Sequence, residues 1–162
     1  MSNKSNFVLE QVEKKINEEL NPIYDVFRKK GEDLDKRMME VAKSKCQAEY
    51  DIIESHGVIG KDFQELTAVE QEYYAKFGEC FTKISFGLGD YYNKMFGTMG
   101  NVKLITKNCI DDCIESNSKL KDAAEKFAFK ECVMECKNKH ISEFQDIYKN
   151  AISKLDEINE KF

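Results

Sequence analysis

The sequence predicts an all-α protein of antiparallel helical hairpins, the C-terminal hairpin clamped by two disulfides. Three observations predict it. Gly and Pro are scarce, 8 and 1 in 162 residues, while charged residues reach 34% and are mostly Lys and Glu. That mixture favours helix and lacks the turn punctuation an all-β chain needs. Apolar residues recur at steps of three and four over long stretches. Finally, four of the 6 cysteines stand in two pairs spaced i, i+4, Cys109 with Cys113 and Cys132 with Cys136. On a helix each pair shares one face, one turn and about 6 Å of rise apart.

Composition removes several classes of protein. An apolar content of 41% supports a core within one domain and is too high for a disordered chain. A net charge of −5 offers no electrostatic lure to nucleic acid. The nearest approach to a membrane span, 84–99, is interrupted by Asp90, Lys94 and three glycines, so no transmembrane segment is expected. Residues 1–6 are polar and Phe7 to Leu9 is too short for the apolar core of a signal peptide. Glu10, Glu13, Glu18 and Glu19 are equally unlike an acidic-poor transit peptide.

The expected layout is one helical domain, 1–162. It has kinked N-terminal helices over 1–56, a loop over 57–66, a helix over 67–97 and a clamped hairpin over 102–162 with a heptad tail. Leu9, Val12, Ile16 and Leu20 give a short amphipathic helix. Asn21 and Pro22 suit an N-cap and a first helical position, so a second helix is expected to start there. Its buried stripe reads Ile23, Phe27, Leu34, Met38, Val41, Ala48 and Ile52, and the helix also carries Gly31 and Cys46. His56 to Gly60 ends it.

Thr67 and Glu70 have the spacing of a capping box. The helix after them carries Phe77, Phe81, Ile84, Leu88, Tyr91 and Met95, with Cys80 beside the stripe. Gly87, Gly89 and Gly97 weaken it or admit a close neighbour, and Gly97 to Asn101 is expected to end it. A third helix over 102–115 carries the first cysteine pair. Ser116 to Ser118 turns the chain, and Asp122 with Glu125 opens the last helix as a capping-box variant. Its tail places Ile141, Phe144, Tyr148, Ala151, Leu155, Ile158 and Phe162 at steps of three and four, a heptad seam. Such a seam packs on the protein's own first helices or presents Ile141, Phe144, Tyr148, Leu155, Ile158 and Phe162 to a partner.

In an antiparallel hairpin, facing residues have a constant index sum. The pairings Cys109–Cys136 and Cys113–Cys132 both satisfy it, and the swapped pairing does not. This places the hairpin centre near Asp122, a little beyond the turn residues. Zinc is the alternative. Cys132, Cys136 and His140 on one face would span about 12 Å, too long for one ion with bonds near 2 Å, whereas a Cys₄ site from both pairs is feasible. A redox active site wants Cys-x-x-Cys and an activating neighbour, and here the flanks are acidic. There is no phosphate loop, no His-rich cluster and no nucleophile beside a base. The 2 histidines, His56 and His140, suit capping or packing. No catalytic residue, metal or cofactor is assigned.

The Cys-x3-Cys pairs on two helices resemble the twin-CX3C proteins of the mitochondrial intermembrane space, of which the small Tim chaperones are one group. The last pair, Cys132-Val133-Met-Glu-Cys136 followed by His140, is closer to the family with sequence similarity 136, whose members carry four helical cysteine pairs in two hairpins. The first two pairs look half-kept here, since Tyr50 and Ile84 stand where cysteines would follow Cys46 and Cys80. The loop centre near Asp62 nevertheless suits a direct Cys46–Cys80 bridge. The resemblance covers about residue 38 to the C-terminus and is specific in the last third. It implies a chain oxidised by the disulfide relay of the intermembrane space, without a cleaved presequence. The expected function is a non-catalytic structural or assembly subunit, peripheral at the inner membrane. Its partners would be the protein subunits of a respiratory-chain complex or the ATP synthase. A small-Tim-like chaperone for hydrophobic precursors and a thiol metal carrier are the alternatives.

Overall fold

A computed structural model describes residues 3–116 and 123–162. Five α-helices run through them: α1 (Asn3–Lys45), α2 (Gln47–Ser55), α3 (Ala68–Ile84), α4 (Leu88–Ser116) and α5 (Ala123–Glu160). A single 3₁₀ turn, Phe63–Glu65, lies between α2 and α3, and no strand occurs among the described residues. The fold is all-α. The expected turn at Ser116 to Ser118 and the cap at Asp122 and Glu125 fall largely outside the described residues.

The helices form two compact units, Met1–Arg28 with Asn93–Lys154, and Lys29–Tyr92 with Leu155–Phe162. The core of the first unit gathers Val12, Ile16 and Leu20 from α1, Val102, Ile110 and Cys113 from α4, and Cys136, Ile141, Phe144 and Tyr148 from α5. The second unit is built around Ala42, Cys46, Ile53, Val58, Leu66, Phe77 and Ile84. Val58 is 1% exposed, so a loop residue between Gly57 and Gly60 is one of the best-buried side chains in that unit. Gly57 and Gly60 have φ of 64° and 85°. That left-handed backbone, which glycine adopts without a steric penalty, turns the loop back over the core.

Two expected helix ends do not occur. Pro22 lies inside α1 rather than starting a new helix. An interior proline costs about 3 kcal/mol through its missing N–H and its clash with the preceding turn. Val12, Ile16, Leu20, Ile23 and Phe27 stay in one stripe across it, and all join the first unit's core. Each fully buried aliphatic side chain contributes roughly 1.5–3 kcal/mol, so packing outweighs the proline, which itself faces solvent. The same logic carries α4 through Gly97 and Gly100. Leu88, Met95, Val102, Thr106, Ile110 and Cys113 are all buried and keep helical phase across both glycines.

The break lies instead at Ser85 to Gly87. The Ser85 N–H donates to the Phe81 carbonyl at 3.0 Å, and its hydroxyl donates to the Thr82 carbonyl at 2.9 Å. Phe86 and Gly87 then take φ of 51° and 75°. Two consecutive left-handed residues cannot continue an α-helix, and for Phe86 that conformation costs roughly 1–2 kcal/mol. Its ring rests edge-on against Phe162, with centroids 5.8 Å apart, and the Lys161 ammonium lies 4.8 Å from its centre. Upstream, the single residue Cys46 separates α1 from α2. The buried stripe there passes through Ala42, Cys46 and Ile53, while Ala48 and Ile52 face solvent. That stripe continues from Leu34 and Met38 at steps of four and seven, and the bridged Cys46 lies on it.

The capping box of α3 forms as expected. The Glu70 N–H donates to the Thr67 hydroxyl at 3.2 Å, and the Thr67 N–H donates to the Glu70 carboxylate at 3.3 Å. These bonds hold the Glu70 carboxyl below its usual pKa.

Gly97 and Gly100 are helical and solvent-facing, and a Cβ built on either would meet nothing within 4 Å. Gly97→Ala and Gly100→Ala should each stabilise the protein by about 0.4–1 kcal/mol by restricting the unfolded chain. In thermal melts followed by circular dichroism, each should raise Tm by about 1–4 °C.

Candidate functional site

The chemically distinctive feature is a two-rung disulfide ladder between α4 and α5. Cys109 pairs with Cys136 and Cys113 with Cys132, with Cα atoms 5.9 and 5.8 Å apart. These separations sit within the normal range for bridged residues. They are the pairs selected by the constant index sum, and they fix α4 and α5 as an antiparallel hairpin. A third bridge, Cys46–Cys80, ties the start of α2 to α3 with Cα atoms 6.1 Å apart. Tyr50 and Ile84, one turn beyond Cys46 and Cys80, sit in the same apolar cluster. That hairpin therefore has one covalent rung, with apolar contact one turn along.

The ladder has an inner and an outer side. Cys113 and Cys136 are 2% and 3% exposed and belong to the first unit's core beside Ile110. Cys109 and Cys132 are only half-buried. The outer side opens on a groove of about 540 Å³ bordered by Ile105, Asp112, Glu135 and Lys139. The rungs touch: the Cys113 and Cys136 sulfurs, which belong to different bridges, are 3.7 Å apart. The sulfurs of Cys109, Cys113 and Cys136 all lie within 4.8 Å of one another. This crowding has the dimensions of a metal site, but every one of these sulfurs is bonded to another sulfur. An oxidised cysteine has no thiolate to offer zinc.

His140 does not join the cysteines. Its Nδ1 lies 2.7 Å from the Thr106 hydroxyl, which also lies 2.9 Å from the Val102 carbonyl. Both bonds form together when Nδ1–H donates to Thr106 and Thr106 donates to Val102, leaving Nε2 unprotonated. The ring stacks on Phe144, with centroids 4.3 Å apart and planes 9° from parallel. Burial, reinforced by the Lys103 ammonium, lowers the His140 pKa to about 4. At neutral pH it is a neutral packing group. His56 stands at the C-cap of α2, where its ring stacks on Tyr73. The Thr106 partner was signalled only by a polar residue standing at a buried position of the α4 stripe.

The heptad seam is also internal. Ile141, Phe144, Tyr148, Leu155 and Ile158 are buried and Phe162 is half-buried, all within the chain itself. Of the six residues that a partner face would need, five are thus buried within the chain and Phe162 is half-buried. In the first unit Ile141, Phe144 and Tyr148 meet Val12, Ile16 and Leu20, and Tyr148 contacts the rings of Tyr24 and Phe27. In the second, Asp156 accepts from Lys30 at 2.7 Å and Asn159 from Arg37 at 2.8 Å. These polar contacts are exposed and contribute little beside the apolar seam.

Paired Cys→Ser variants should rank by the loop each bridge closes. Cys46 and Cys80 are 34 residues apart, so their removal should cost about 4 kcal/mol. Cys113 and Cys132, 19 apart but lying inside the loop that the remaining Cys109–Cys136 bridge still closes, should cost about 2 kcal/mol. Cys109 and Cys136, 27 apart but nested outside the inner bridge, should cost about 2–3 kcal/mol. Urea unfolding of the three variants checks the order. A second expectation concerns pH. The unfolded His140 binds a proton below about pH 6.5 and the folded one only below about pH 4. The unfolded state therefore holds the extra proton in that window, and stability falls as pH drops through it. Relative to wild type, His140→Phe should lose less stability between pH 7 and pH 4, by at most about 3 kcal/mol. Paired urea titrations at both pH values measure the difference.

Comparison of the chain with family models, with curated proteins and with solved structures finds no match.

Proposed function

We propose that the protein is a non-catalytic structural or assembly subunit of the mitochondrial intermembrane space, docked on an inner-membrane complex such as a respiratory-chain complex or the ATP synthase. The observation that carries this reading is the stacked pair of bridges between α4 and α5. Helical cysteines at i, i+4 that are fully consumed in bridges suit a compartment that oxidises thiols. They resemble the twin-CX3C arrangement of proteins that the disulfide relay retains there. A hairpin joined at two levels has little freedom to slide or open, which is the property wanted of a spacer or brace.

The same chemistry weighs against a metal carrier, because a carrier needs free thiols and the six cysteines are all paired. No helix among the described residues is long and apolar enough to cross a membrane, in keeping with a peripheral position.

A tagged copy expressed in its native cells tests the reading. Mitochondrial membranes solubilised in mild detergent should yield the tag on native gels at the size of a large inner-membrane complex. Protease should reach it once the outer membrane is ruptured and not before. Migration only as a free monomer would sink the subunit role. A soluble oligomer that crosslinks to imported precursors would replace it with the chaperone role. Resistance to protease until the inner membrane is lysed would place it in the wrong compartment.

A further inference from the structure

The two rungs of the ladder touch through the sulfurs of Cys113 and Cys136, and all four cysteines line one open groove, Cys109 and Cys132 with the greater exposure. Cys109 and Cys132 are half-buried at the rim, whereas Cys113 and Cys136 are 2% and 3% exposed. The contact between the rungs, 3.7 Å, is between the two buried sulfurs. We propose that the ladder is a thiol-exchange site that shifts its register on partial reduction: a small-molecule thiol enters at Cys109 or Cys132, and the product is one buried Cys113–Cys136 bridge with two outward thiols.

The chemistry follows from which sulfur is reachable. A thiolate attacks a disulfide sulfur and expels the other as thiolate. Entry at Cys109 forms a mixed disulfide there, breaks Cys109–Cys136 and releases the Cys136 thiolate. That thiolate sits against Cys113 of the other rung. Its attack forms Cys113–Cys136, breaks Cys113–Cys132 and releases the Cys132 thiolate, which takes up the proton lost by the incoming thiol. A second thiol then attacks the mixed disulfide, leaves as the small-molecule disulfide and frees Cys109 as a thiol. In balance, two small thiols become one disulfide, and two protein bridges become one bridge and two thiols.

Entry at Cys132 runs the same way in mirror image. It releases Cys113, which attacks Cys136 and expels Cys109. Both accessible entry points therefore converge on the same buried bridge. The outcome keeps α4 and α5 covalently joined after one electron pair has been added, and it presents Cys109 and Cys132 on the groove beside Asp112, Glu135 and Lys139. Cys46–Cys80 lacks a second rung in its own hairpin, so it can open but cannot shift, and it serves as the internal control.

The test is a titration of the full-length oxidised protein with glutathione, quenched in acid, alkylated and mapped by peptide mass spectrometry. The expected species with one α4–α5 bridge carries Cys113–Cys136, with alkyl groups at both Cys109 and Cys132 or glutathione at one of them and an alkyl group at the other. A single-bridge species holding only native Cys109–Cys136 or Cys113–Cys132, or loss of both rungs without a single-bridge species, would overturn the proposal. A double variant, Cys109→Ser with Cys132→Ser, adds an independent check. On air oxidation it should form Cys113–Cys136, and two persistently alkylatable thiols in the folded variant would count against the exchange. Should that variant fail to fold, the titration of the wild-type chain decides.

Discussion

Two cysteines one turn apart on a helix can both be bridged to a facing helix only if that helix presents two more at a matching spacing, and which cysteines pair then fixes whether the helices run parallel or antiparallel. That constraint sits at the centre of this protein. Cys109 with Cys136 and Cys113 with Cys132 satisfy it, and they set both the direction and the register of α4 against α5 at two heights. Apolar packing alone permits a helix to slide by a turn, because one leucine resembles the next. A second rung removes that freedom. The buried halves of the ladder then become core residues in their own right, beside Ile110.

Much of the architecture was legible because helical phase is a long-range signal. The stripes of α1, α3, α4 and α5 could be counted, and Thr67 with Glu70 announced the start of α3. What misled was local punctuation. Pro22, Gly97 and Gly100 are helix breakers by propensity, yet the apolar stripe keeps its phase across each of them, and burial of the stripe exceeds the local penalty. The true interruption at Ser85 to Gly87 has one glycine to betray it, and the left-handed Phe86 preceding it carries no sequence signature. Near Cys46 the inward face was misassigned by one position: the buried stripe runs Leu34, Met38, Ala42, Cys46 and Ile53 at steps of four and seven, and counting through Val41 instead of Ala42 selects the neighbouring face.

The candidate site divides along the same line. Pairing of the ladder cysteines could be read from spacing, since covalent geometry leaves few options. The fate of the heptad seam could not, because an amphipathic stripe does not say whether its cover lies in the same chain. Here it does: Ile141, Phe144 and Tyr148 join the first unit's core, and Leu155 and Ile158 are buried as well. His140 illustrates a third case. Its proximity in sequence to Cys136 invites a metal reading, but one turn along α5 its ring turns to Thr106 and Phe144. A polar pair satisfied inside a core has no periodicity and emerges only in the folded structure. The covalent rungs hold α4 against α5, and this supports the scaffold role proposed for the protein.

Everything hangs on the oxidation state of sulfur in the living protein. The direct measurement is the intact mass of protein isolated under rapid alkylation, taken before and after reduction. The account predicts no alkyl groups before reduction and six after it, one for each cysteine of the chain. Alkylation of Cys109, Cys113, Cys132 and Cys136 without any reductant would contradict it.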